Sequence, residues 1–348
     1  MEADCENAFK YGFVIAEVHG KSESLLKESD YNGLQQASGL DEILVKLSNS
    51  PYSKFVNEGM ELSKKEFNTR LNQALVADYR QMRRNSDGDM KILMDYFVQF
   101  YQLQNFIYLL DCKVEDPSLS HAITRVEMLG WFQELDTLKF VTDMQDVYRF
   151  CVEGTFLKPY YDKLTFDNEI SKNNWSLLQS QFTKLLMEDF AEKLKDCKGM
   201  SFMNDILRRE GDRRILEIVI NSINSNDITG KARRSLFPRI NSFGLSVLDR
   251  LAECTSMDEM RAAISTHNLY RKLIVADDSE MLNVLFEMEM ANYMYSFIFH
   301  NDISCVYSYL KVKEQEVKNI LWIIECISQD RRDLSKNISI PSKFMNKN

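Results

Sequence analysis

The chain has 348 residues, 45% of them apolar, which is enough to bury a substantial core and sets aside intrinsic disorder. Its net charge of −9 opposes the long-range attraction to phosphate backbones that nucleic-acid binders depend on, so nucleic acid is not expected as a partner. Glycine and proline supply only 12 and 5 residues, against roughly 42 together at an average usage of about 12%, and this shortage of turn formers predicts long helices.

The N-terminus is acidic (Glu2, Asp4, Glu6) and has neither the basic flank nor the apolar run of a signal peptide, so the chain is expected to begin and remain in the cytosol. From about Tyr11 onward it reads as successive amphipathic helices. Three segments share the pattern Ser/Thr, any, apolar, any, acidic, apolar: Ser38 to Ile43, Thr142 to Val147 and Thr255 to Met260. Each has the form of a capped helix start. Each is followed by a breaker or aromatic: Pro51-Tyr52, Pro159-Tyr160 and Asn268-Leu269-Tyr270. The pattern fits three similar helical units, at roughly 1–130, 131–245 and 246–335, and equally fits three unrelated capped helices.

Between the first two caps, Asn85-Ser86-Asp87-Gly88-Asp89 approaches a calcium loop. Met90 stands where the turn glycine should be and the twelfth position lacks Glu, so the run is expected to be an ordinary polar turn. Two basic clusters follow later: Arg208, Arg209, Arg213 and Arg214 around Gly211, then Lys231, Arg233, Arg234 and Arg239. They read either as solvated faces paired with acids such as Glu210, Asp212 and Glu217, or as a docking patch for an acidic partner or a membrane surface.

The stretch from Met290 to Leu310 is the sparsest in charge, but Asn292, Ser296, His300, Asn301, Asp302 and Ser304 interrupt it. It falls short of the roughly 20 apolar residues of a membrane span. The last helix is predicted from Ile303 to about Arg332, with Leu310, Val317, Ile320, Leu321, Ile324 and Ile327 on one stripe and a Glu314–Lys318 pair one turn apart. Residues 336–348, with Pro341 and several Lys and Asn, are expected to fray.

Catalytic, cofactor and metal residues are not expected. The four histidines (His19, His121, His267, His300) are scattered, and none has a second ligand-type residue at the spacing of a zinc helix. The seven cysteines are scattered and odd in number, which suits a reducing compartment. Neither a Gly-x-x-x-x-Gly-Lys-Ser/Thr nor a Gly-x-Gly-x-x-Gly loop occurs, so nucleotide binding is not expected.

The run Lys313-Glu314-Gln315-Glu316-Val317-Lys318-Asn319-Ile320-Leu321-Trp322-Ile323-Ile324-Glu325-Cys326-Ile327-Ser328-Gln329 closely resembles the C-terminal signature of the V-type ATPase subunit d family. Other segments of the family pattern agree in order: Tyr11-Gly12-Phe13 with Glu17-Val18 and Gly20, Leu129-Gly130-Trp131-Phe132, Asp212-Arg213-Arg214, and Met260-Arg261-Ala262-Ala263 followed by Tyr270-Arg271. The resemblance spans nearly the whole chain. His19 stands where the pattern usually has arginine and Ala37 where it usually has cysteine, so no role that needs that Arg or Cys is carried over.

What the resemblance implies is an all-α, funnel-like body of three similar units. It would form one module that couples the rotating central shaft to the proteolipid ring of a proton pump without catalysing anything itself. The implied partners are the proteolipid c-ring, the central-shaft subunits D and F, and subunit a. Membrane association would run through the ring, on the cytoplasmic face of vacuolar or other endomembranes. Candidate interface residues are Glu314, Gln315, Glu316, Asn319 and Glu325 on the last helix, with Arg213 and Arg214. Two rival readings are a cytosolic helical-repeat scaffold and a soluble enzyme whose Cys and His meet only in the fold.

Overall fold

The structure is a computed structural model; it describes residues 2–56, 62–115, 119–140, 144–153, 155–163, 175–197, 200–225, 228, 230–299 and 302–329. Among these residues every regular element is helical. The first α-helices are α1 (Glu2–Ser22), α2 (Glu28–Gln35), α3 (Leu40–Ser48), α4 (Lys64–Arg84) and α5 (Gly88–Glu115). Short and medium helices follow: α6 (Ser120–Ile123), α7 (Met144–Val152), α8 (Lys158–Tyr161), then the longer α9 (Trp175–Leu194) and α10 (Ser201–Ser225). The remainder are α11 (Gly230–Leu236), α12 (Leu245–Glu253), α13 (Met257–Ile264), α14 (Arg271–Ile274), α15 (Met281–Phe299) and α16 (Ser304–Ser328).

The helix starts are written in the sequence. Ser38 donates its backbone N–H and its hydroxyl to Glu42 Oε2 at 2.8 and 3.0 Å. Thr255 does the same to Glu259 Oε2 at 2.7 and 3.2 Å. These bonds hold both exposed carboxyls below their usual range. The third copy of the pattern begins at Thr142-Asp143, outside the described residues. Ser63 and Glu66 add a reciprocal cap at the start of α4.

The chain divides into two compact units. One comprises residues 1–91, 197–206 and 276–348, and its axis is α16, against which α1, α2, α3, α4 and α15 pack. Its best-defined apolar cluster joins Tyr31, Ile43, Leu47, Tyr52, Phe67 and Leu71 to Val317, Ile320, Ile323 and Ile324. The charge-sparse stretch is the end of α15 and the beginning of α16, with Tyr293, Met294, Cys305 and Val306 buried. Among the described residues no helix is long and apolar enough to cross a membrane.

The other unit comprises residues 92–196 and 207–275. Tyr96 stacks on Phe190 at a centroid distance of 3.8 Å, and Phe106 meets Phe182 edge-on at 5.9 Å, which fixes α5 against α9. Two glycines are dictated by close backbone approach. A Cβ on Gly130 would stand 2.4 Å from the Tyr101 carbonyl carbon, and one on Gly211, inside α10, would stand 1.8 Å from the Ile240 carbonyl oxygen. Beside Gly130, Asn105 holds the Glu127 backbone with bonds of 2.9 and 2.7 Å.

α16 departs from the sequence expectation. The predicted stripe is buried or half-buried, but from Ser304 to Val317 nearly every other side chain is buried as well, including Lys313, Glu314 and Glu316. The helix is enclosed rather than half-exposed, because five other helices surround it. Its described part ends at Ser328 and Gln329 caps it; Arg332 and the tail lie outside the described residues.

Candidate functional site

A buried polar helix must satisfy its charges internally, and α16 does so with partners drawn from distant parts of its own unit. Glu316 is at its centre, 1% exposed. Its Oε1 accepts from the Tyr52 hydroxyl at 2.9 Å and from Lys313 Nζ at 2.7 Å. Its Oε2 accepts from the Leu26 backbone N–H. Lys313 also lies over the Tyr52 ring, 4.1 Å from the centroid. One carboxylate therefore ties α16 to the loop before α2 and to the helical turn after α3.

One turn on, Asn319 donates to the Tyr31 hydroxyl at 3.4 Å and accepts from Gln315 Nε2 at 2.7 Å. One to two turns toward the N-terminus, the Tyr309 hydroxyl donates to Asp78 Oδ2 at 2.6 Å, and Lys21 reaches Asp78 Oδ1 at 2.7 Å. Burial raises all three tyrosines well above their usual range; Glu316 adds to this at Tyr52 and Tyr31, and Asp78 at Tyr309. They stay protonated, and Tyr52 and Tyr309 donate. Glu314 is held by Lys311 at 2.9 Å and by Lys318. Burial pushes its carboxyl up, but the two ammoniums outweigh that and hold it far below the carboxylate range.

The remaining sequence candidates are placed differently. Glu325 is 44% exposed and pairs with Lys64 at 3.2 Å. On α10, Arg213 and Arg214 share Glu217, the latter at 3.2 Å. Asp212, their neighbour, turns inward, fully buried, and accepts from the Ser242 N–H and the Tyr270 hydroxyl, each at 2.7 Å. Two sequence segments more than fifty residues apart, Asp212-Arg213-Arg214 and Tyr270-Arg271, thus meet in one hydrogen bond.

Glu316 and Asn319 spend their polar atoms inside their own unit. Charge reversal at Glu316 would therefore break the fold. Gln315, Glu325 and Arg214 keep part of their surface exposed. Sequence reasoning missed Asp78, Tyr309 and the pairing role of Lys313. Asp78 carried no local signal, whereas a lysine three residues before a glutamate on a buried helix face is a signal once burial is known.

The chain matches the model of the family described as ATP synthase (C/AC39) subunit over residues 14–338. It belongs to that family. V-type proton ATPase subunit d of Saccharomyces cerevisiae is 30% identical over 341 residues, covering 94% of this chain and 96% of the yeast protein. V-type proton ATPase subunit d of Dictyostelium discoideum is 25% identical, covering 92% of each chain. Subunit d1 of Arabidopsis thaliana is 27% identical, covering 92% and 93%.

The C/AC39 match takes in the whole described length of α16 and all its partners named above. In this family member three buried thiols are poorly suited to nucleophilic work: burial pushes Cys151 up to about 12 and raises Cys254 and Cys305. Among the described residues no group of three His, Cys, Asp or Glu side chains is placed to hold a metal. The chemistry of α16 is that of a pinned rod: charged and phenolic groups locked in fixed geometry, with few of them poised to change state.

Proposed function

We propose that this chain is a non-catalytic central-stalk subunit in the membrane sector of a V-type proton ATPase, passing rotation from the central shaft to the proteolipid ring. The observation that carries the reading is identity of 30% across 94% of the chain to a relative named V-type proton ATPase subunit d, with nearly full coverage on both sides. The α16 network supports it in physical terms. A torque adaptor must resist shear, and bonded contacts from one helix to residues more than 200 positions away supply that stiffness.

In this reading the partners are the c-ring, shaft subunits D and F, and subunit a. The protein sits on the cytoplasmic face of a vacuolar or other endomembrane, held there by the ring. Three similar helical units, near 1–130, 131–245 and 246–335, would surround the shaft in a funnel. Gln315, Glu325, Arg213 and Arg214 are the polar contacts proposed for partners; Glu314, Glu316 and Asn319 hold α16, which presents Gln315 and Glu325. The scaffold alternative has no relative in its support.

The test is a mild-detergent pull-down of tagged protein from membranes with mass spectrometry of what remains bound. Recovery of proteolipid and central-shaft subunits, reduced in a Glu325→Lys, Arg214→Glu variant that folds normally, is expected. Recovery of soluble partners alone would refute the assignment.

A further inference from the structure

α15 reverses the usual arrangement of a surface helix. Its polar side chains Glu289, Asn292 and Ser296 are buried, while Tyr295 and Phe299 are 46% and 56% exposed. With Val284, Met288 and Ala291, each partly exposed, they form one apolar stripe at steps of three and four residues. The opposite side of the helix is already covered: Tyr293 meets the Tyr307 ring at 6.1 Å and Phe297 meets Tyr309 at 6.4 Å, both on α16. The stripe, its neighbour Phe202 of α10 and α16 all belong to the first unit.

A single exposed apolar residue is ordinary, whereas a continuous stripe marks a face that another surface covers. Spacing sets the shape of that surface. Val284, Met288, Ala291 and Tyr295 follow the alternating steps of four and three residues of a coiled-coil seam, which a second helix fills. Ala291, small and at mid-seam, lets another backbone come close. Tyr295 is a held anchor, its ring 4.3 Å from that of Phe299 and 5.7 Å from that of Phe202. Charge sets what the second helix carries. Glu280 and Glu287, both exposed, stand seven residues apart along one flank of the seam. Glu280 accepts from Asn283 at 3.0 Å, and among the described residues neither carboxylate is paired with a cation.

We propose that this face of α15 docks an amphipathic helix of a partner polypeptide, its apolar seam against Val284, Met288, Ala291 and Tyr295 and its Lys or Arg flank against Glu280 and Glu287. An acidic flank turns away the anionic surface of a membrane. A second copy of this chain brings the same acidic flank and no counter-charge. The face involves none of the residues proposed above as partner contacts and does not rest on the coupling role.

The experiment places the photoreactive residue benzoylphenylalanine at Met288 or at Tyr295 of the full chain, irradiates intact cells and identifies the crosslinked peptides by mass spectrometry. Both positions should reach one partner segment, at sites about seven residues apart, that is apolar along one side and carries Lys or Arg beside it. Glu280→Lys with Glu287→Lys should lower the yield about fivefold, the loss of two flanking ion pairs. Ala291→Glu, which puts a charge in the seam, should lower it about tenfold or more. Leu245, 75% exposed on α12, gives the background yield. Thermal melting checks that each variant folds. Hydroxyl-radical footprinting of the unmutated protein gives a readout free of mutation: relative to exposed Phe13, Met288 and Tyr295 should be oxidised less in cells than in the purified chain. Crosslinks to lipid, to a second copy of this chain, or to an acidic or extended segment would overturn the proposal, as would a yield no higher than from Leu245 or unmoved by the charge reversal.

Discussion

The Tyr270 hydroxyl lies 2.7 Å from Asp212 Oδ2, so a residue at the start of α14 secures a fully buried carboxylate in the middle of α10. Burial raises the Asp212 carboxyl; the Ser242 and Tyr270 bonds partly offset this. Tyr270→Phe removes the phenol donor and leaves the carboxylate with Ser242 alone. A loss of about 1–3 kcal/mol is expected, seen as a lower urea midpoint at unchanged slope.

Glu316 and Lys313 form a pair with side chains 2% and 6% exposed, 2.7 Å apart. Glu316→Leu strands the ammonium and should cost about 3–5 kcal/mol. Adding Lys313→Met removes the stranded charge, so the double variant should be more stable than the sum of the singles by about 0.5–3 kcal/mol. Additive losses would show that the two residues do not act as a pair.

Gly211→Ala places a methyl against the Ile240 carbonyl oxygen and forces α10 away from that loop, at a cost of about 1–3 kcal/mol or more. Gly12 in α1 has nothing within 4 Å of its added Cβ. Gly12→Ala should therefore stabilise the chain by about 0.5–1 kcal/mol through helix propensity. The opposite signs, read by thermal melting, separate packing from backbone entropy.

Glu314 makes a signed prediction about acid. Its folded pKa lies below the ordinary 4.5, so the stability it contributes is complete above that value and is lost as pH falls through the folded one. Asp212 has the opposite sign: raised above 3.8, it favours the folded state at low pH and less so as pH rises. Glu314→Gln should lower stability near pH 7 by about 1 kcal/mol or more, and the difference should shrink as pH falls below 4.5 toward the folded pKa, flattening the acid limb of a stability–pH curve.

Helix starts were legible because a cap is a local contract: Ser38 with Glu42 and Thr255 with Glu259 satisfy backbone groups within five residues, whatever the rest of the chain does. The apolar stripe of the last helix was legible for the same reason, since Val317, Ile320 and Ile324 sit one turn apart and are buried together. The family pattern added identity, carried by runs of residues that stand in order along the chain.

Tertiary structure alone decided what the polar residues do. Glu316 reads from sequence as a candidate interface residue; enclosure by α1, α2, α3, α4 and α15 makes it the buried hub of a network whose partner Tyr52 is 264 positions away. Lys184 of α9 reaches the Ser235 carbonyl of α11, 51 positions on, a contact no local pattern signals. Periodicity along one helix fixes which side is apolar, but whether its polar side meets water or another helix depends on chain closure over hundreds of residues, and no local pattern encodes that.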